Sequence, residues 1–302
     1  MNPAAFPPPD PSTVAPEQPA VAAAPPHGGP AFAWAPPPEP QPSVDAPYSS
    51  LLYLPDPRVR WGLPTAALTI AGIVLPLALL IVLFGFGVLP YSPGLVFAGS
   101  FASYLVALVI PFAASKLRGL GSLAADYGLR FRWIDVPIGI GLGIGVRLAI
   151  VAVLIVFSPL LGEAESNLEL DPDPLWFVLS SVMIPVLVAP IVEEILCRGV
   201  VMRAVRNRML RTKGDAAPPT RGRRVWAVVF SVIASTLVFA LLHGHQMVNP
   251  ATVVTLGTTT VIAGLAHGWI STVTGRLGAA IVSHATLNGS AVLLLVLVTA
   301  LG

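Results

Sequence analysis

From Arg60 to the C-terminus the chain reads as a succession of apolar runs near 20 residues long, separated by short polar links. Runs of that length suit helices crossing a hydrocarbon layer ~30 Å thick at ~1.5 Å rise per residue. Seven spans are expected, at residues 64–88, 94–114, 136–161, 175–200, 225–244, 251–273 and 277–300. The expected fold class is therefore all-α, a polytopic transmembrane helix bundle of about seven spans. An eighth helix is the alternative, because residues 115–135 are partly amphipathic and suit the membrane interface. Gly139, Gly141, Gly143 and Gly145 place small residues at four-residue intervals on the third span, which favours close helix packing.

Composition changes the picture at the N-terminus. Sixteen of the 32 prolines fall in residues 1–50, which contain no Lys or Arg and only the acids Asp10, Glu17, Glu39 and Asp45. Such a stretch cannot bury a core, and a disordered Pro/Ala-rich cytoplasmic tail is expected over residues 1–55. The transmembrane domain is expected over residues 60–302. No basic segment followed by an apolar one opens the chain, so no cleavable signal peptide is expected. Charged residues make up 11% of the chain, against about 25% in soluble domains. That scarcity, with the long apolar runs, argues against a soluble enzyme and a nucleic-acid binder. The lone Cys197 leaves no disulfide scaffold.

Charge sets the expected orientation. The link after the second span carries Lys116, Arg118, Arg130 and Arg132, the link after the fourth runs from Arg203 to Arg224, and the last carries Arg276. The intervening link is acidic, with Glu163, Glu165, Glu169, Asp171 and Asp173. All basic links share one side if the N-terminus is cytoplasmic and the C-terminus outside. A multi-pass cell-membrane protein embedded in a lipid bilayer is the expected location.

Ionisable groups inside spans are expensive, at ~2.5–3.5 kcal/mol each on insertion scales, so each needs a partner or a task. The fourth span holds Glu193, Glu194 and Arg198. Arg198 lies one helical turn after Glu194, so one ion pair can form and leave the other carboxylate free. Pro185 and Pro190 precede the pair and free backbone carbonyls. The fifth span ends in Phe239 and His243, and the seventh puts His284 and Asn288 on one face. A carboxylate can take a proton from water, a histidine can serve the leaving group, and an amide with a second histidine can bind an oxyanion.

Glu193-Glu194-x-x-x-Arg198, Phe239-x-x-x-His243 and His284-x-x-x-Asn288, in that order within apolar spans, resemble the CPBP family of CAAX prenyl endopeptidases and bacteriocin-processing proteins. The resemblance implies an intramembrane endopeptidase acting on a membrane-associated protein or peptide, with no nucleic-acid partner. It implies Glu193 as the base that activates water, His243 as its partner, and His284 with Asn288 as the oxyanion pair. Glu194, Arg198 and Phe239 are implied as supporting residues. No HExxH pair occurs, so no metal is expected, with zinc held by Glu and His from separate spans as the alternative. A catalytically silent scaffold or immunity-type protein is the alternative function, and a proton-coupled transporter a third. Arg147 and His267 lie within spans without an assigned role. Arg147 is expected to pair with a motif carboxylate or to reach towards headgroups. His245 is close enough to His243 to stand in for it.

Overall fold

The structure is a computed structural model that describes residues 40–161, 173–212 and 217–301. Seven helices among these residues are long and apolar enough to cross a membrane. They are α1 (Leu63–Gly85), α2 (Pro93–Arg118), α4 (Asp135–Leu161), α5 (Pro174–Leu210), α6 (Arg221–Leu242), α7 (Pro250–Thr274) and α8 (Gly278–Leu301). The short α3 (Leu123–Asp126) lies within residues 115–135, where an eighth helix was the alternative, and its four residues add no span. The protein is an all-α, multi-pass membrane protein.

Helix starts follow a repeated local rule. Ser92, Asp173 and Asn249 each precede a proline and accept a hydrogen bond from a backbone N–H of the first turn. The side chain satisfies one orphaned donor, while the proline supplies a helical φ and has no N–H to satisfy. Asn249 and Thr252 complete a reciprocal box, with bonds of 2.8 and 3.0 Å. At the other end of α7, Gly275 adopts φ 70°, the left-handed conformation that ends helices at low strain when glycine supplies it.

The fourth span is expected over residues 175–200, with an Arg-rich extension to about Leu210 if Glu193 and His243 are to lie level, and α5 does continue to Leu210. Its extension is held by arginines that meet backbone carbonyls. Arg203 reaches Gly275 O at 3.0 Å, and Arg206 reaches Tyr48 O at 2.6 Å and Ser50 O at 2.9 Å. The Arg203 and Arg206 guanidinium groups also lie 4.0 and 4.4 Å from the Tyr48 ring centre. Residues 40–61 are thereby seated on this end of the bundle, with Trp61 buried and its Nε1 donating to Asp126 at 2.9 Å. The tail expected over residues 1–55 thus has a seated portion from residue 40, and residues 1–39 lie outside the described residues. So do Glu163, Glu165, Glu169 and Asp171 of the acidic link. Tyr53 and Tyr127, beside this end, are both harder to ionise than a free tyrosine, Tyr53 at about 12, because burial penalises the phenolate.

Only two of the four spaced glycines do the packing. A Cβ at Gly139 would fall 2.5 Å from Val282, and one at Gly143 would fall 2.7 Å from the Ser283 carbonyl. Gly141 and Gly145 meet nothing within 4 Å. Gly139 and Gly143 are one turn apart, so they share the face of α4 that presses on α8. This contact places the first half of α8, with its site residues, against the rest of the bundle.

Candidate active site

Helix α5 is wound more widely than an α-helix over Phe177–Val188 and again over Ile195–Val201. In the first of these stretches the Ala189 N–H reaches back five residues to Ile184 O. In the same register Pro190 would serve Pro185 O, but proline has no N–H. The vacated carbonyl is taken by Asn288, whose Nδ2 donates to Pro185 O at 2.7 Å. The two prolines therefore do what the sequence suggested: they release a carbonyl, and a residue of the third motif uses it. One Asn288 N–H is anchored this way, leaving the second for another acceptor.

Between the two wide stretches, α-helical winding over Ala189–Glu194 carries both acids, and their side chains diverge. Glu194 is fully buried, and its Oε1 accepts from Arg198 Nη1 at 2.9 Å, His267 Nδ1 at 3.1 Å and His284 Nδ1 at 3.1 Å. Three donors converge on one oxygen. Arg198 also donates to Gly264 O at 3.0 Å, and His267 Nε2 meets Ser283 Oγ at 3.1 Å. Glu193 points elsewhere. Its Oε1 accepts from Tyr104 OH at 3.2 Å, while its buried Oε2 has no hydrogen-bond partner and lies 3.9 Å from His284 Nε2.

Phe239 fills the space among these groups. Its ring centre lies 4.8 Å from that of His243, 5.4 Å from that of His284 and 4.8 Å from the Arg198 guanidinium. His243 Nδ1 is 2.9 Å from Phe239 O. A carbonyl only accepts, so Nδ1 carries the proton and Nε2 of the neutral ring is an acceptor. The same reasoning for His284, held by the Glu194 carboxylate, leaves Nε2 facing Glu193.

Glu193, His243, His284 and Asn288 line one cavity of about 1040 Å³, together with Phe239, Tyr104 and Arg147. Glu194 and His267 stand behind its wall. His243 meets His284 through the Phe239 ring, and His245, more exposed, turns its Nδ1 to Leu242 O at 3.1 Å. Sequence reasoning left His267 without a role and did not single out Tyr104. His267 carried a usable signal, an imidazole inside an apolar helix, whereas a tyrosine among the apolar residues of α2 carries none. Arg147 does not pair with a motif carboxylate: Nε donates to Ser290 Oγ at 3.1 Å and Nη2 to Leu287 O at 2.6 Å.

One group among the described residues could hold a metal ion. Ligand atoms of Glu194, His267 and His284 all lie within 4.8 Å of one another. The fit is poor, because the oxygen shared by both imidazoles already accepts from the Arg198 guanidinium, whose positive charge opposes a second cation there.

Residues 174–290 match the family described as type II CAAX prenyl endopeptidase Rce1-like. The matched segment begins at the first residue of α5 and contains all three motifs, in agreement with the resemblance they carry. Comparison with curated proteins and with solved structures gives no match.

Proposed function

We propose that this chain, Rce1-like over residues 174–290, is an intramembrane endopeptidase that hydrolyses a peptide bond of a membrane-associated protein. The observation that carries the reading is the unpartnered Glu193 Oε2 on the cavity wall, 3.9 Å from His284 Nε2. A buried carboxylate oxygen without a donor is costly; Glu194 Oε2 is also without one, but of the two acids only Glu193 lines the cavity, where water and a peptide can reach it.

In this mechanism Glu193 takes a proton from water entering the cavity, and the hydroxide attacks the peptide carbonyl carbon. Charge develops on the carbonyl oxygen. The second Asn288 N–H donates to it, as does His284 Nε2–H when the ring is doubly protonated. The Glu194 carboxylate at Nδ1 holds the ring in that orientation. As the C–N bond breaks, the proton passes from Glu193 to the leaving amine, directly or by way of His243 Nε2. Tyr104 holds the other Glu193 oxygen and fixes the carboxylate plane. No metal takes part in this reading, because the Arg198 guanidinium already occupies the shared Glu194 oxygen.

The test is a comparison of membrane-protein termini in cells carrying the wild type or Glu193→Ala. New termini that depend on Glu193 report activity and substrate together. An unchanged set of termini transfers the argument to the scaffold reading, in which the buried ion network serves packing alone.

A further inference from the structure

Arg147 lies twelve residues after Asp135 in a 27-residue helix, or ~18 Å along the axis at ~1.5 Å per residue. That is the middle of the span, where a charge is expensive and ordinarily marks a ligand path. Arg198 is neutralised by Glu194 and Arg276 by Asp135. Arg147 has no carboxylate partner among the described residues. Its two hydrogen bonds, to Ser290 Oγ and Leu287 O, use two of its five N–H donors. The half-buried side chain lines the cavity, and no other Arg or Lys does among the described residues.

Its position relative to the proposed chemistry is set by α8. The carbonyl that anchors Arg147 belongs to Leu287, next to Asn288 and less than one turn from His284. The α4–α8 seam is closed one turn earlier, where Gly143 meets Ser283. A guanidinium with free donors at this place suits a planar anion bound through two oxygens. Lipid phosphates lie at headgroup depth, not at the middle of a span. A peptide in the cavity brings a carboxylate, either at its C-terminus or on an acidic side chain.

We infer that Arg147 is a carboxylate subsite of the cavity, which reads the C-terminus of the substrate peptide and so restricts cleavage to a fixed distance from the chain end. The inference rests on the peptidase reading. A peptide held at its carboxylate presents one bond to Glu193, and a C-terminal carboxylate, unlike an acidic side chain, occurs once in every substrate chain.

The experiment uses the full-length protein in lipid nanodiscs and a farnesylated peptide prepared as free acid, as C-terminal amide, and as an amide ending in Glu. Binding is measured on Glu193→Gln protein, so that turnover does not intervene. The acid should bind about 10–100-fold more tightly than the amide, the range of a charge-assisted pair. Arg147→Gln should erase that preference, and Arg147→Lys should keep part of it. Equal binding of acid and amide, or a preference that survives Arg147→Gln, overturns the subsite. An amide ending in Glu that binds like the acid overturns the assignment to the chain terminus. The acid–amide comparison on an unaltered Arg147 stands even if its variants fold poorly. Wild-type cleavage separates the two readings: acid and amide cut alike removes the subsite and leaves the peptidase, whereas neither cut removes both.

Discussion

Glu193 Oε2 and His284 Nε2 face one another across 3.9 Å, too far for a direct hydrogen bond. The neighbouring Glu194 closes on the other nitrogen of the same ring at 3.1 Å. Two consecutive carboxylates thus treat one imidazole differently: Glu194 holds it by Nδ1, and Glu193 faces its Nε2 from the cavity wall. Adjacent residues on a helix point about 100° apart, so a single pair of acids can serve both the interior and the cavity. This explains why the motif has two glutamates where one ion pair with Arg198 needs only one.

The first prediction concerns the free oxygen. Glu193→Gln keeps shape and Tyr104's partner but loses the proton acceptor. Cleavage should fall ~10²–10⁴-fold, the usual consequence of losing a general base. Thermal unfolding in detergent should be unchanged. A variant that cleaves at the wild-type rate rejects Glu193 as base.

Glu194 should behave in the opposite way. Glu194→Gln leaves Arg198 buried without its counter-charge, and breaking such a pair typically destabilises by ~3–5 kcal/mol. The double variant Glu194→Gln with Arg198→Met removes both charges and should recover a large part of that loss. Denaturation in mixed micelles measures both. A single variant as stable as the wild type would show that the network contributes nothing to stability.

Much of this was legible in the sequence, and the reasons are local. The spans follow from apolar run length. The four cavity residues Glu193, His243, His284 and Asn288 were singled out because polar groups in apolar spans are conspicuous. The extension of α5 to Leu210 lies beyond the apolar run and is suggested only by the depth match of Glu193 with His243, which leaves Arg203 and Arg206 on a protruding end. Only the folded chain shows them capped by carbonyls of residues 48–50. His267 was visible but unassigned, since nothing in one dimension says that it meets Glu194 from another helix. Spacing alone also made four glycines look alike, when only Gly139 and Gly143 face α8.

That distinction is testable. Gly143→Leu drives a side chain into Ser283 and Thr286, and overpacking of this kind typically destabilises by ~1–3 kcal/mol. Gly145→Leu points into open space and should lie within ~0.5 kcal/mol of the wild type. Unfolding of the two variants in parallel checks the helix face, and equal effects would reject it.

Sidedness follows from the basic links. Reporter fusions ending after Leu89 and after Gly302 should read external, and one after Thr212 internal, as the positive-inside rule requires. Either external fusion reading internal rejects the proposed orientation.

The last prediction separates the glutamate base from a metal. Under the proposed mechanism the proton acceptor is a carboxylate already in place, so prolonged exposure to a strong chelator should leave cleavage unchanged. The candidate ligand set predicts otherwise: a zinc ion on Glu194, His267 and His284 would be stripped, activity would vanish, and added zinc would restore it. The two readings also part at His267. As a ligand, its replacement by Gln would abolish activity and metal content together. As a hydrogen-bond partner of Glu194 and Ser283 at 3.1 Å each, it can be replaced by an uncharged amide that keeps part of this bonding. His267→Gln should then retain substantial cleavage, with a modest loss of stability of ~1–2 kcal/mol for an imperfect buried substitution. Stoichiometric zinc in the purified protein, lost together with activity in His267→Gln, would overturn the glutamate mechanism. The Arg198 guanidinium beside the shared oxygen is the physical reason to expect the other result.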